Sequence, residues 1–374
     1  MAMHSPSAPP QPRLPRLEPT DRPEGGSWIY SLFALIFANA AVLLTGAVLL
    51  PTHASAILRC YSSAFSSFDG SRLIVSLAVL TGCLLVEMQL LGWQRCALRK
   101  LLWPSRSARH DWVMWIISVS GFSVALLLFF TAGVVPILPA DVRGWVGAVW
   151  VQKLDSLVLQ VVISFVAHDF LAYWFHRGMH MFAFAWEAHK YHHAATEFNM
   201  LTATRSHIAE NALGHIFVTL PLVILGMKGE TFVAIMIVTS VISHFNHSMI
   251  DWRFGWFGRW ILVSPVAHRI HHSMLPEHWD KNFSGTLLIW DRLFGTWYDG
   301  DKVNTEVGVT HNYVERETVA GGFVTCYVLF LRQFVRSLLT NEWFLSTRRQ
   351  RQLAESESKS RPDASDREPV RHAA

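Results

Sequence analysis

The sequence predicts an all-α fold, a polytopic membrane helical bundle with a histidine-rich helical cap on its cytoplasmic side. Three observations carry this expectation. Of 374 residues, 51% are hydrophobic and only 16% are charged, with 16 Trp and 24 Phe, against a usual charged share of about 25%. So few charges cannot cover a water-soluble surface of this size. Apolar runs of about 20 residues recur along the chain, each long enough to cross some 30 Å of hydrocarbon. Finally, 14 of the 19 histidines fall between His168 and His278. The formal net charge of +4 is too small to point to a nucleic-acid partner. Cys60, Cys83, Cys96 and Cys326 form no CxxC and no regular spacing, which argues against a disulfide framework or an iron–sulfur site.

Taken in order, residues 1–27 are Pro-rich and poor in large apolar side chains, and read as a disordered arm. Residues 28–153 read as an N-terminal transmembrane region of three spans, at 28–50, 73–93 and 112–135. The first run has the Arg residues and small-residue "ANA" of a signal peptide, but its apolar stretch continues through "AVLLTGAVLL", so it is read as a retained span. A fourth span, 154–175, opens a unit covering 154–318. Within it, runs at 208–226 and 231–245, split by "MKGE", read as a tight helical hairpin. Residues 319–346 carry Arg332 and Arg336 inside an apolar run and read as an amphipathic, interfacial helix. Residues 347–374 are charged and Ser-rich, a disordered tail.

Loop charge sets the orientation. The segment 94–111 carries Arg95, Arg99, Lys100, Arg106 and Arg109, whereas 51–72 has only Arg59 and Arg72. The positive-inside rule places 94–111 and the N-terminal arm in the cytoplasm. Counting spans onward brings every histidine cluster, and both termini, to that same side.

Three histidine motifs stand out: "HRGMH" with His176 and His180, "HKYHH" with His189, His192 and His193, and "HRIHH" with His268, His271 and His272. Positions i, i+3 and i+4 share one face of a helix, so each triplet aims its rings from one turn. Eight imidazoles exceed the needs of one metal ion and suit two. Imidazole binds Zn, Cu, Fe and Ni, so the ligand type leaves the metal open. A lone histidine in an apolar helix is usually a hydrogen-bonded structural residue, and His4, His53, His110, His215, His311 and His372 are read that way. No HExxH occurs, which disfavours a hydrolytic zinc site. A ligating imidazole usually passes its second N–H to a carboxylate or carbonyl. Asp169, Glu210 and Asp280 are the candidate acceptors. Asn282 is a further candidate for supporting the ligands, with shaping a turn near the site as the alternative for it and for Asp291. Trp174, Trp186, Trp290 and Trp297 read as interfacial anchors or packing.

The run "HDFLAYWFHRGMH", then "HKYHH", then "HRIHH" followed by "DKNFSGTLLIWDRLFGTWY" resembles the fatty acid hydroxylase and sterol desaturase superfamily over residues 155–300. The resemblance implies a non-haem di-iron centre ligated by His176, His180, His189, His192, His193, His268, His271 and His272. It also makes 154–318 a fatty-acid-hydroxylase-like catalytic domain. "RSHIAE" and "FNHSMID" resemble two further family elements, with Ile208 and Met249 where Pro and Asn are common. They suggest His247 as a ninth ligand, and His207 and His244 as residues that steady the ligands. His168, two turns deeper in the span, is read as structural or steadying.

Two irons with O2 imply an oxidoreductase that hydroxylates a lipid drawn from the bilayer: an acyl chain, sterol, ether lipid or aminolipid. A desaturase using the same site is the alternative within this class. A metal transporter with a histidine-lined path is the alternative outside it. The chain has no GxGxxG and no ferredoxin-type cysteine run, so a separate redox partner of ferredoxin or cytochrome b5 type is expected. The sequence sets no oligomeric state.

Overall fold

A computed structural model describes residues 71–120, 151 and 154–345, apart from 228, 301, 304–305, 311, 315–316, 342 and a few side chains. The expected arm at 1–27, the span 28–50, most of the span 112–135 and the tail 347–374 lie outside the described residues.

Twelve α-helices are described. They are Ser71–Leu91 (α1), Ala97–Leu102 (α2), Arg106–Val119 (α3), Leu157–Met181 (α4), Ala183–His193 (α5), Ile208–Gly214 (α6), Leu220–Ile224 (α7), Gly229–Asn246 (α8), Gly255–Trp260 (α9), Pro265–His271 (α10), Ile289–Leu293 (α11) and Val319–Thr340 (α12). A π-helical turn, His215–Thr219, joins α6 to α7. Among the described residues there are isolated bridges but no strand.

Helices α1, α4 and α12 are long and apolar enough to cross a membrane. Their outer faces present Ile74, Leu85 and Leu90, then Leu157, Val158 and Val162, then Val328, Val335 and Leu339, all exposed. Surfaces of this kind are stable against hydrocarbon rather than water, and the chain is an integral membrane protein. Helix α4 is the axis of the fold. Ser156 caps its N-terminus by accepting from the Leu159 amide, and its 25 residues contain no Pro and one Gly. At 1.5 Å per residue, Leu157 and His176 stand about 29 Å apart along the axis, close to the thickness of the hydrocarbon core. The helix runs on to Met181, so His176 and His180 ride on the span helix itself. The expected boundary at 175 is too early, because "HRGMHM" has nothing to break a helix.

The basic segment 94–111, expected to be a loop, contains α2 and the start of α3. Arg99 and Arg106 face outward while Ala97, Leu101, Ser107, Ala108 and Asp111 are buried, so charge here marks a surface rather than a coil. Ser105 caps α3 by accepting from the Ala108 amide at 3.1 Å. Its inner face joins Trp115 to Leu80, Leu84, Leu101, Met200 and Leu201. Val113 and Met114 meet Tyr191, Ile208 and Phe323 in a second cluster. The helical pair α6/α7 and α8 forms at the expected hairpin. Helix α12 lies along α5, burying Phe323 and Cys326 against it, so residues 319–340 pack directly on a histidine helix. Glu87, buried near the end of α1, accepts from the amides of Ala97 (2.6 Å) and Met249 (3.3 Å) and pins α1 to the turn after α8.

Candidate metal centre

Four pieces of chain deliver nine imidazoles to one place. The end of α4 brings His176 and His180. After a sharp corner at Phe182, α5 turns back with His189, His192 and His193. His247 follows α8, and α10 with its C-terminal residue brings His268, His271 and His272. Ser264 caps α10 by accepting from the Ala267 amide (3.2 Å), and Pro265 occupies the first helical position. That arrangement starts a seven-residue helix where it is needed.

The rings divide into two groups. His176, His180, His189, His193 and His271 form one, and His192, His247, His268 and His272 the other; in each, the ligand nitrogens lie within 4.8 Å of one another. Each triplet is shared out. The i and i+4 members of α5 join the first group and its i+3 member joins the second, while α10 does the reverse. Where the groups meet, the His193 and His272 rings stack at 4.1 Å and 19°.

Second nitrogens are taken by fixed acceptors. Nδ1 of His176 donates to the Phe283 carbonyl (2.6 Å), that of His189 to the Glu210 carboxylate (2.8 Å), and that of His192 to the Arg205 carbonyl (3.1 Å). Nδ1 of His247 donates to the Ser243 carbonyl (2.8 Å), and that of His271 to the Lys281 carbonyl (2.8 Å). In these five rings the proton sits on Nδ1 and the Nε2 lone pair points inward, the tautomer a ligand needs. Inward nitrogens approach closely: His176 to His189 at 3.1 Å, His192 to His247 at 3.3 Å and His247 to His268 at 3.0 Å. Two nitrogens bound at right angles to one ion at about 2.1 Å would be about 3.0 Å apart. The Nε2 atoms of His180, His193, His271 and His272 are buried with no hydrogen-bond partner among the described residues, a penalty that a bound ion removes. The residues therefore fit metal ions, and a neutral, all-imidazole set of this kind suits a non-haem iron centre.

Aromatic rings close the sides. Phe283 lies 5.1 Å from His180, and Phe198 lies 4.9 Å from His272 and 5.2 Å from His247. Trp186 packs at 5.0 Å from His180 and 5.4 Å from His193, so this tryptophan walls the centre rather than anchoring at an interface. Burial, and then crowding by other imidazoles, holds His192, His193, His268 and His272 well below the usual histidine range. Burial is also the main cause pushing His271 down to about 3 and His247 to about 4. Neutral imidazole is the ligand form.

Other expected residues lie apart from the two groups. Asp169 accepts from the Leu287 amide (3.0 Å) and the Trp290 indole (2.8 Å), bracing the 287–290 turn rather than a ligand. His207 caps α6, accepting from the Ala209 amide, while its Nε2–H donates to the Phe323 carbonyl. His244 donates to the Ser240 carbonyl, and His168 is also outside both groups. Asp280 and Asn282 both have φ of 57°. They turn the backbone on either side of Lys281, whose carbonyl receives His271. The Asn282 side chain donates to the Ala267 carbonyl and accepts from the Tyr298 amide, tying this turn to α10. Asp291 accepts from the Phe283 and Ser284 amides (2.8 and 2.9 Å) and so sets the carbonyl that receives His176. Of the three carboxylates expected to receive an imidazole N–H, Glu210 does so. The other acceptors are backbone carbonyls, which leave no mark in a sequence.

Comparison with known proteins agrees with this arrangement. The family model for fatty acid hydroxylase matches residues 161–296. The alkylglycerol monooxygenase of Xenopus tropicalis is 32% identical over 149 residues, 40% of this chain and 32% of the relative. The ornithine lipid hydroxylase OlsE of Rhizobium tropici is 30% identical over 155 residues, 41% of this chain and 46% of the relative. The very-long-chain aldehyde decarbonylase GL1-5 of Oryza sativa subsp. indica is 23% identical over 138 residues, 34% of this chain and 22% of the relative. The matched segment thus spans a third to a half of the first two relatives and less of the third. No solved structure matches. Motifs, paired imidazole groups and family match coincide on one stretch of chain, and over residues 161–296 the protein matches the fatty acid hydroxylase family.

Proposed function

We propose that this chain is a membrane-bound di-iron oxidoreductase that uses O2 to hydroxylate a lipid. The observation that carries the reading is the division of nine buried imidazoles into two adjoining groups at the end of a span helix. The proposed ligands are His176, His180, His189, His193 and His271 for one iron, and His192, His247, His268 and His272 for the other. When bound, such a pair supplies the reduction of O2 and attack on an unactivated C–H bond. The residues of the chain supply the rest. Glu210 and the carbonyls of Arg205, Ser243, Lys281 and Phe283 hold ligand tautomers and ring orientations. Phe198, Phe283 and Trp186 exclude water beside the rings. The exposed apolar faces of α1 and α4 abut the hydrocarbon from which a lipid would enter sideways. The names of the relatives make an ether lipid or an aminolipid the substrate classes to try first. Two electrons per turnover would come from a separate partner of ferredoxin or cytochrome b5 type.

The centre and both termini are assigned to the cytoplasmic side. In support, the basic segment that sets the topology by charge is also the segment whose Ser107 and Asp111 touch the histidine-bearing chain. A histidine-lined transport path is the weaker reading, because five of these rings are pinned to fixed acceptors within a closed cluster. Iron analysis of the purified protein and lipid mass spectrometry of a deletion strain test the proposal together. About two irons per chain and a lipid lost with a 16-dalton difference are expected. A 2-dalton difference would mean desaturation, and loosely exchanging zinc with an unchanged lipid profile would overturn the reading.

A further inference from the structure

The matched family segment begins at residue 161, yet part of the metal centre's support comes from α3, some fifty residues earlier in the chain. Ser107, His110 and Asp111, at i, i+3 and i+4, form a buried polar stripe on one face of α3. Every member engages the stretch that follows α5 or α5 itself. Asp111 accepts from Asn199 Nδ2 (2.6 Å) and Thr202 Oγ1 (3.1 Å) and pairs with Arg205 at 3.4 Å, with both charged side chains fully buried. Ser107 Oγ accepts from Arg205 (3.0 Å) and from the Thr196 amide (3.2 Å). His110 Nδ1 meets the Tyr191 hydroxyl at 3.0 Å.

Arg205 closes a ring around one proposed ligand. Its Nε donates to the Tyr191 carbonyl (3.1 Å), immediately before His192, and its own carbonyl receives His192 Nδ1–H (3.1 Å). The guanidinium thus fixes the backbone on both sides of that imidazole, and Asp111 neutralises the guanidinium where no water reaches it. A buried charge stripped of its partner rearranges, and here the rearrangement acts on the carbonyl that orients His192.

We propose that Asp111 is a positioning residue for the four-imidazole group, acting on His192 through Arg205. This makes α3, outside the matched segment, part of the metal centre. The proposal rests on the di-iron reading. The test is an anaerobic Fe(II) titration of the full-length, metal-stripped protein in detergent, against a competing chelator. Wild type is expected to bind in two steps, and His247→Ala identifies the step of the four-imidazole group by abolishing it. Asp111→Asn, which keeps the shape but sets amide donors against Asn199 and leaves Arg205 charged, should weaken that step about tenfold, the lower end of what indirect ligand support contributes. The other step should change less than twofold. Ser107→Ala, a milder cut in the same network, should shift the same step in the same direction and keeps the test decisive if Asp111→Asn does not fold.

Equal weakening of both steps, or a lowered melting temperature of the metal-free protein with both affinities unchanged, would overturn the proposal and leave a structural ion pair. A wild-type protein without two binding steps would remove the di-iron reading as well, so the two failures are told apart by the wild-type curve.

Discussion

The two HxxHH triplets are spelled alike and framed differently. Helix α5 has eleven residues and lies between α12 and the polar stripe of α3. Two of its three histidines, His189 and His192, donate to Glu210 and to the carbonyl of Arg205, a residue that Asp111 and Ser107 hold in turn. Helix α10 has seven residues. Arg269 ties it to the Ile250 carbonyl (2.9 Å) and to Asp251 (2.8 Å), and Asn282 holds the Ala267 carbonyl. Among the described residues, only His271 of this triplet reaches a fixed acceptor, whereas His268 Nδ1 and both nitrogens of His272 are buried without one. A motif therefore specifies which atoms face a metal, and the surrounding chain decides how firmly they are held. Two rings of the α5 triplet are held by their own acceptors, and the α10 triplet is held mainly through the placement of its short helix.

Removing a ligand from either triplet should give the largest effect and no asymmetry. His192→Ala and His271→Ala are both expected to abolish product and to lower bound iron, read by lipid mass spectrometry and metal analysis. Normal turnover in either would break the comparison at its root.

The next effect separates the frames. Glu210→Gln removes the charged acceptor behind His189 and should reduce activity or metal affinity by about 10–100-fold, measured as turnover and as iron retention against a chelator. On the α10 side the corresponding lesion acts on the backbone. Asn282→Ala loses two hydrogen bonds and places a Cβ-bearing residue with no compensating side chain at φ 57°. A loss of about 2–4 kcal/mol is expected from the left-handed conformation and the bonds together. Asn282→Gly should lose less, and the difference between the two thermal midpoints measures the backbone share.

The smallest effect concerns pH. Burial holds His207 down to about 3, while the unfolded chain titrates near 6.5. Between those values the unfolded state binds the extra proton, so the stabilisation is complete above about pH 6.5 and is lost as pH falls toward 3. The metal-free protein should melt at lower temperature at pH 5 than at pH 7.5. His207→Asn, which retains a capping acceptor for α6, should flatten that dependence modestly. An unchanged slope would remove His207 from the account.

Much of the architecture was legible in the residues. Apolar runs located α1, α4 and the α6–α8 hairpin, and histidine spacing located the rings, including His247 from its motif context. The sharing of each triplet between two groups was not legible, because i, i+3 and i+4 define a face about 100° wide without saying where two metals divide it. Carbonyl acceptors were hidden for the reason that any residue supplies one. For Trp186 the sequence left interfacial anchoring and packing open, because an indole beside a span can serve either with the same sequence, and the structure shows packing on His180 and His193. The stripe on α3 was lost inside a segment whose arginines drew attention to topology, although Ser107, His110 and Asp111 stand at helical spacing. Asp169 misled in the opposite sense: a carboxylate one residue after a histidine in a span invites a metal-related role, and here it braces a loop.

One uninterrupted rod, Leu157–Met181, carries exposed apolar residues at one end and His176 and His180, the first two proposed ligands, at the other. Because nothing in it bends or breaks, a residue inserted anywhere between Val158 and Phe175 would lift His176 by about 1.5 Å and swing it through about 100°. The height of the centre above the bilayer midplane is thus a counted quantity, set by how many residues precede His176 on a single helix. Lengthening or shortening that count by whole turns is the register-preserving way to move the histidine cluster up or down relative to the exposed apolar face of the helix.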